Sequence, residues 1–358
     1  MKKNTEKIKV VFCAGGTGGH IYPAIAVADR LKQGNRLSDI VFFVSGRDVE
    51  RSVFSGKSFV LKEISSAGSG ELFSFRAIPS VFNLLRGFVF SLTELIKDRP
   101  DIIVSMGGYS SIPPVLAGYL LRIPVILHEQ NALPGKANRF LSKFAKKVAI
   151  SFERSADGFP RSKARLTGNP VREEILSAET RQRPGGKFSL LVMGGSQGSA
   201  ALNSAVVEML SLIDWQKTNI GRIVHITGQK APPKNTETEY VAIPYEDRIW
   251  ELLASSDLVI SRAGATAIAE ITARALPSVL IPYPHAAEKH QDVNAKVLED
   301  AGAAKVLGQD KLSGRALLDI INSLLKSGED LRRMSLMSGK LAKPDAAREM
   351  AGLIYETI

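Results

Sequence analysis

The stretch SRAGATAIAEITARALPSVLIPYPHAAEKHQDVN, residues Ser261–Asn294, decides the fold. Leu258–Ser261 ends an apolar run, and Arg262-Ala263-Gly264-Ala265 is small enough for a tight turn. Thr266–Ala275 has helical composition and stops short of Pro277, which a helix interior tolerates poorly. Ser278–Pro282 reads as a buried strand, so the stretch is a βαβ unit. The helix N-terminus of such a unit offers unpaired N–H groups and a positive dipole end to an anion. Ligands of open α/β sheets sit at the carboxyl ends of the strands. Glu270, one turn into the helix, shares that edge with His285, His290, Gln291 and Asn294. A carboxylate beside an anion-binding helix end suits two sugar hydroxyls and not a second phosphate. The stretch predicts a nucleotide site whose ribose is held by Glu270.

The rest of the second half follows the same plan. Phe188–Met193 reads as a strand, Gly194-Gly195-Ser196-Gln197-Gly198-Ser199 as a glycine turn and Ala200–Leu212 as a helix. The turn lacks the Lys of a P-loop. Strands at Arg222–Ile226 and Tyr240–Ile243, and helices at Asp247–Ser255, around Ser313–Lys326 and at Ala346–Ile358, complete it.

The first half repeats the arrangement without repeating the sequence. Ile8–Cys13 is a strand, Ala14–His20 (AGGTGGH) a glycine turn, and Ile21–Lys32 a helix with Pro23 in its first turn. The spacing is not G-x-G-x-x-G, and strand Ile40–Val44 runs into Ser45-Gly46-Arg47, where a dinucleotide site requires an acid. An NAD-dependent oxidoreductase is therefore disfavoured. Strands Phe59–Ile64, Asp101–Ser105 and Pro124–Leu127 follow, the last two opening into Met106–Ser111 and His128-Glu129-Gln130-Asn131. Three strand ends thus carry His20, Tyr109 and Glu129 to one edge. His20 and Glu129 are both candidates for a general base, and each is equally suited to hydrogen-bonding its own loop. Thr167-Gly168-Asn169-Pro170 marks a boundary. The expected organisation is a first domain over 1–167, a second over 168–340, and a terminal helix over 341–358 packing back on the first.

A chain of 358 residues exceeds the usual size of one core, and 44% hydrophobic with 23% charged residues is ordinary soluble composition. The single Cys13 excludes an intrachain disulfide framework and fits a reducing compartment. The initial Lys-flanked apolar run is too short for a signal peptide and reads as the first strand. The net charge of +11 is unevenly placed: residues 1–168 hold 25 Lys and Arg against 13 Asp and Glu, the remainder 22 against 23. Fourteen of the fifteen Phe also lie in the first part. Nucleic acid and an anionic membrane surface are both candidate partners for the basic half, although neither a basic recognition helix nor an aromatic RNA-binding pattern is visible. Within Leu72–Lys97, Ile78, Val81, Phe82, Leu85, Phe88, Val89, Leu92, Leu95 and Ile96 keep helical spacing and predict one core-facing stripe. Arg76, Asn83, Arg86 and Glu94 interrupt it, which excludes a membrane span. Phe73, Phe75, Leu84 and Phe90 fall off the stripe. These residues either widen the core face or form an apolar patch, ringed by Arg76, Arg86, Lys143, Lys146 and Lys147, that rests on anionic lipid.

Seven motifs in order, AGGTGGH at Ala14–His20, GGY at Gly107–Tyr109, HEQN at His128–Asn131, GNPVR at Gly168–Arg172, GGSQG at Gly194–Gly198, RAGATAIAE at Arg262–Glu270 and HQDVNA at His290–Ala295, resemble the peptidoglycan enzymes of glycosyltransferase family 28. The resemblance implies an α/β GT-B fold, two Rossmann-like domains with parallel sheets facing across a cleft. It also implies transfer of N-acetylglucosamine from UDP-GlcNAc to the C4 hydroxyl of the muramoyl sugar of lipid I. The products are lipid II and UDP, with inversion and no cofactor. By the same resemblance Glu270 holds the ribose, Ser196 and Ala265, Thr266, Ala267, Ile268 and Ala269 line UDP, and Arg172 lies near the donor. Gln291 reads the sugar hydroxyls, Thr17, Gly18, Gly19 and Asn131 contact the donor sugar, and Tyr109 and Asn138 belong to the acceptor side. His20 leads as base with Glu129 as rival. No Asp-x-Asp is present, so the expected chemistry needs no metal. The resemblance also implies an enzyme peripheral on the cytoplasmic face of the inner membrane, with contacts to other cell-wall synthesis proteins, and a lipid-linked pyrophosphate acceptor in an anionic bilayer accounts for the basic first half without nucleic acid. A UDP-sugar:diacylglycerol transferase and a UDP-GlcNAc epimerase are the alternatives. Glu246 stands where relatives carry an apolar residue beside the uracil.

Overall fold

The computed structural model describes residues 7–34, 38–64, 77–180, 186–195, 197–228 and 239–358. The chain forms two compact units, Met1–Arg172 together with Pro344–Ile358, and Glu173–Lys343.

In the first unit the elements run β1 (Ile8–Cys13), α1 (Gly18–Gln33), β2 (Ser38–Val44), α2 (Asp48–Phe54), β3 (Val60–Glu63) and α3 (Ala77–Lys97). They continue with β4 (Ile102–Ser105), α4 (Ile112–Leu120), β5 (Val125–Glu129), α5 (Lys136–Leu141), β6 (Lys147–Ile150) and β7 (Ala164–Leu166). The seven strands form one sheet, ordered β3-β2-β1-β4-β5-β6-β7, with every pairing parallel. Both faces are covered, so the strands read as unbroken apolar runs, and alternate residues enter opposite cores. Val10, Phe12, Ile40 and Phe42 pack against α1 and α2, while Val11, Cys13, Val41 and Phe43 face the side of α3 and α4. Phe12, Phe42, Phe54 and Phe59 form an aromatic cluster with neighbouring centroids 4.8–6.3 Å apart, Phe12 stacked on Phe42 and the other pairs tilted or edge-on, which accounts for part of the Phe excess. Burial drives the Cys13 thiol pKa far up, so it is an inert core residue.

The helix α3 packs differently from its pattern. Phe88, Phe90, Leu92 and Leu95 turn into the core, whereas Phe82, Leu85, Val89 and Ile96 are each more than half exposed. A helix apolar on two sides has a clear period and no unique inward face. The outward face therefore carries residues assigned above to the core. Beside it, α4 and α5 expose Tyr119, Leu120 and Phe140. Phe73, Phe75 and Arg76 lie outside the described residues. Lys146 Nζ donates to Thr357 O (2.6 Å) and Lys147 Nζ to Ser162 O (3.4 Å).

The second unit runs α6 (Glu173–Ser177), β8 (Phe188–Met193), α7 (Ala200–Leu212), β9 (Ile220–Ile226), β10 (Tyr240–Ile243), α8 (Ile249–Ala254) and β11 (Leu258–Ser261). It continues with α9 (Ala265–Ala273), β12 (Ser278–Leu280), α10 (His290–Asp300), β13 (Ala304–Val306), α11 (Gly314–Lys326) and α12 (Gly328–Leu341). Its six strands are again parallel, ordered β10-β9-β8-β11-β12-β13. Leu190, Val192, Leu258, Ile260 and Val279 pack beneath α7 and α11. The last helix, α13 (Ala346–Thr357), belongs to the first unit, where Met350, Ala351, Leu353 and Ile354 join the core of α1. Arg165 pairs with Glu356 at 2.6 Å at its end.

Candidate active site

Each sheet has one place where strand order reverses, between β1 and β4 in the first and between β8 and β11 in the second. Ligands of such sheets sit outside the carboxyl ends at that point. The four loops that meet these points are the two glycine turns and the loops after β4 and β11.

At the first reversal the loops after β1 and β4 are stitched together. Met106 N donates to Cys13 O (2.9 Å) and Ser110 Oγ to Gly15 O (3.3 Å). A Cβ on Gly15 would stand 2.9 Å from Ser110 Oγ and 3.1 Å from Ser45 N, so only glycine fits. Thr17, exposed, is the N-cap of α1, with Gly18 and Gly19 in its first turn. His20 follows, partly exposed, its ring lying against two glycines. A methyl on Gly16 would be 3.7 Å from His20 Nδ1, and one on Gly108 would be 3.6 Å from Cε1. Both glycines have left-handed φ, +117° and +80°. Tyr109, partly exposed, begins the short helical turn after Gly108.

At the β5 edge, Glu129 and Asn138 are both drawn into their own loop. Glu129 is 1% exposed, and both oxygens are spent inside its own loop. Oε1 accepts from Asn131 N (3.0 Å) and Asn131 Nδ2 (3.2 Å), Oε2 from Gly135 N (3.0 Å) and Asn138 Nδ2 (2.9 Å). Burial pushes its carboxyl pKa up against the pull of these four donors. A base must reach the proton that it removes, and here both oxygens of the carboxylate are engaged by the loop. Asn138 is likewise buried: its Nδ2 also donates to His128 O (3.1 Å), and its side chain lies under Gly107, so it supports the edge and does not line it. His128 is fully buried, its Nε2 3.1 Å from Gly168 O, and desolvation lowers its pKa to about 4. Arg172 lays its guanidinium over the Tyr22 ring, 4.2 Å from the centroid.

In the second unit, Gly198 (φ +74°) tucks the β8 turn against β9, where a Cβ would strike Thr227 O at 2.2 Å. Ser196 lies outside the described residues. The α7 N-terminus is capped by Ser199, whose Oγ accepts from Leu202 N (3.3 Å). The α9 N-terminus differs: its N-cap is Gly264, which has no side chain to offer, and Ala265, Thr266 and Ala267 present the first-turn amides. Ile268 and Ala269 complete the first turns, and Glu270, 8% exposed, comes next. From α10, Asn294 Nδ2 pins the turn through Ala263 O (3.1 Å), and Gln291 Oε1 accepts from Tyr283 N (3.0 Å). Glu246 turns its carboxylate back on Arg248 N (2.8 Å), capping its own turn.

Two residues carry more of this geometry than their sequence positions suggest. Arg262, 6% exposed, donates through Nη1 to Ile281 O and Pro282 O (3.2 Å each) and through Nη2 to Ser199 Oγ and Gln309 Oε1 (2.6 Å each). All four acceptors are neutral, and burial lowers its pKa. Glu50, 1% exposed, accepts from Gly16 N across the first glycine turn (2.6 Å). For Arg262 the available signal was an arginine directly after a buried strand. Glu50 is indistinguishable in sequence from any other helical glutamate.

Residues 10–150 match the N-terminal domain of glycosyltransferase family 28 and residues 189–350 its C-terminal domain. A protein of Halothermothrix orenii is 37% identical over 98% of this chain and 99% of its own. The chain belongs to glycosyltransferase family 28. That relative is named UDP-N-acetylglucosamine--N-acetylmuramyl-(pentapeptide) pyrophosphoryl-undecaprenol N-acetylglucosamine transferase, as is a Bacillus subtilis protein 34% identical over 98% of this chain and 99% of its own. Among solved structures, Acinetobacter baumannii MurG is similar with a TM-score of 0.74 and 27% identity, covering 97% of this chain and 99% of that one. The calicheamicin glycosyltransferase CalG4, at 14% identity and a TM-score of 0.71, shares the fold. The two parallel-sheet units are thus those of a family 28 enzyme of the GT-B class.

Proposed function

We propose that this family 28 enzyme transfers N-acetylglucosamine from UDP-GlcNAc to lipid I, giving lipid II and UDP. The carrying observation is the extent of likeness. Identity of 37% runs through 98% of this chain and 99% of a relative bearing that transferase's name, so the likeness takes in both units.

The second unit takes the donor. The α9 amides meet the pyrophosphate, Glu270 accepts from the ribose hydroxyls, and Gln291 reads the sugar. Negative charge grows on UDP as the glycosidic bond breaks, and an anion-facing helix end with the buried cation of Arg262 behind it stabilises that charge. At the first unit, His20 removes the proton from the acceptor C4 hydroxyl as its oxygen attacks the anomeric carbon from the face opposite UDP, which inverts the centre. Glu129, with both oxygens occupied, keeps the loop in register for this. Thr17, Gly18, Gly19, Asn131 and Arg172 contact the donor sugar side, and Tyr109 the acceptor.

The acceptor is carried by a lipid. Among the described residues no helix is long and apolar enough to cross a membrane. The outward face of α3, with Phe82, Leu85, Val89 and Ile96, rests on the bilayer, and Arg86, Lys136, Arg139 and Lys143, all exposed, meet anionic headgroups. The enzyme then works on the cytoplasmic leaflet, where its nucleotide donor is made.

Purified protein incubated with labelled UDP-GlcNAc and either lipid I or diacylglycerol tests the reading. Label is expected in lipid I only. Label in diacylglycerol alone would replace it with the glycolipid transferase. Conversion of the donor with no acceptor present would replace it with an epimerase.

A further inference from the structure

Glu50 stands on α2, third in the helix, and is 1% exposed. Its Oε2 accepts from Arg47 N (3.1 Å), the ordinary return bond of a capping box. Local capping does not account for Oε1. That oxygen leaves its own helix, accepting from the Ser45 hydroxyl and from Gly16 N at 2.6 Å, 34 residues earlier in the chain. A buried carboxylate is costly unless hydrogen-bonded, and these donors hold it in one orientation. The amide that it grips belongs to the peptide between Gly15 and Gly16. Gly15 is already wedged between Ser110 and Ser45, so the carboxylate fixes the remaining freedom of the turn. Gly16, at φ +117°, lies beside the His20 ring, where a Cβ would come 3.7 Å from Nδ1, and a Cβ on Gly108 would come 3.6 Å from the neighbouring Cε1.

We infer that Glu50 is a positioning residue for His20, its carboxylate fixing the Gly15–Gly16 peptide and thereby the orientation of the imidazole. The inference rests on His20 being the general base. Glu50 touches no substrate and acts only through the turn.

The test is Glu50→Gln in the full chain, which keeps size and the capping oxygen but turns an amide NH2 toward a donor. Expected is a fall in kcat of about tenfold or more, with the UDP-GlcNAc KM within about threefold of the parent. In a His20→Ala background the same substitution is expected to add less than about twofold, because the two act as one unit. The His20 ring is followed separately by NMR. The chain has five histidines, and the His20 signal is the one lost in His20→Ala. It is expected to shift in Glu50→Gln. An unmoved His20 signal, or an equal loss of kcat in both backgrounds, would overturn the inference. Full activity in His20→Ala alone would overturn the base assignment, and the NMR signal then decides the positioning by itself. If Glu50→Gln does not fold, Ser45→Ala loosens the same oxygen, and a His20 signal unmoved in that variant is equally fatal.

Discussion

The buried histidine of the second unit makes acid stability a quantitative test of the packing. His225 on β9 is fully buried between Tyr240 and Asn203. Asn203 Nδ2 donates to Thr227 O (2.9 Å), which turns its Oδ1 toward His225 Nε2 at 3.0 Å. That oxygen can only accept, so Nε2 carries the proton and Nδ1 accepts from the Tyr240 hydroxyl at 3.0 Å. The ring is neutral, and desolvation lowers its pKa from 6.5 to about 4. An unfolded His binds its proton near pH 6.5, so between pH 6.5 and 4 the unfolded state holds more protons than the folded one. Stability is complete above 6.5, falls as the pH drops to 4 and levels off below. The whole loss is about 3 kcal/mol, of which about 2 kcal/mol is gone at pH 5.

The assay is urea unfolding at pH 7.5 and pH 5.0, followed by tryptophan fluorescence. Trp215 and Trp250 are the only tryptophans, and both lie in the second unit, so the signal reports that unit alone. With a slope of about 2 kcal/mol per molar urea, the midpoint is expected to fall by about 1 M. His225→Gln, which has no proton to gain, is expected to be less stable at pH 7.5 but to lose most of the difference between the two pH values. Equal midpoints at both pH values for the parent would refute the reasoning, as would a pH dependence preserved in His225→Gln.

Four further outcomes follow from the two sheet edges and the α3 face. Glu270→Ala is expected to weaken UDP-GlcNAc binding by about 1–3 kcal/mol through lost charged hydrogen bonds, and an unchanged donor KM removes the ribose role. His20→Ala is expected to lower kcat by about 10²–10⁴, and a loss below about tenfold shows that another group takes the proton. Glu129→Gln faces an amide NH2 toward loop donors and is expected to cost about 1–3 kcal/mol of stability, leaving the shape of the pH–rate profile intact. Disappearance of one limb of that profile would return the base role to Glu129. Leu85→Asp with Val89→Asp is expected to abolish sedimentation with anionic vesicles while donor KM stays constant, because each apolar side chain inserted contributes about 1.5–3 kcal/mol. Undiminished sedimentation would move the membrane contact elsewhere.

What could be read in the sequence follows from burial. Strands covered on both faces, such as Val10–Phe12 and Leu190–Val192, are apolar at every position and announce themselves. The glycine turns announce themselves because left-handed or crowded backbone admits little else, as at Gly16 and Gly198. The orientation of α3 was not legible, since apolar residues on both of its sides satisfy the same period. α12 was not legible for the opposite reason: Leu331, Met334 and Ser338 alone are buried along it, too thin a stripe among charges. Glu129 and Asn138 show a third limit. A polar run after a buried strand marks an edge, but which members point into the loop depends on donors such as Gly135 N, set by the path of the chain.

The two glycine turns are interchangeable by sequence pattern, and charge beneath them separates their uses. Under the first, the carboxylate of Glu50 accepts from the Gly16 amide and so withholds that N–H from any anion. Under the second, the guanidinium of Arg262 ties Ser199, at the head of α7, to the end of β12, with no carboxylate among its bonded partners. At an effective dielectric of about 20, one unit charge some 4 Å from another is worth about 4 kcal/mol, so reversing its sign matters more than any single hydrogen bond in either loop. This difference favours the second edge for the nucleotide diphosphate, as proposed above. The first, with its Gly16 amide taken by its own carboxylate, offers a rigid turn and a histidine to the acceptor hydroxyl that on the same reading loses its proton.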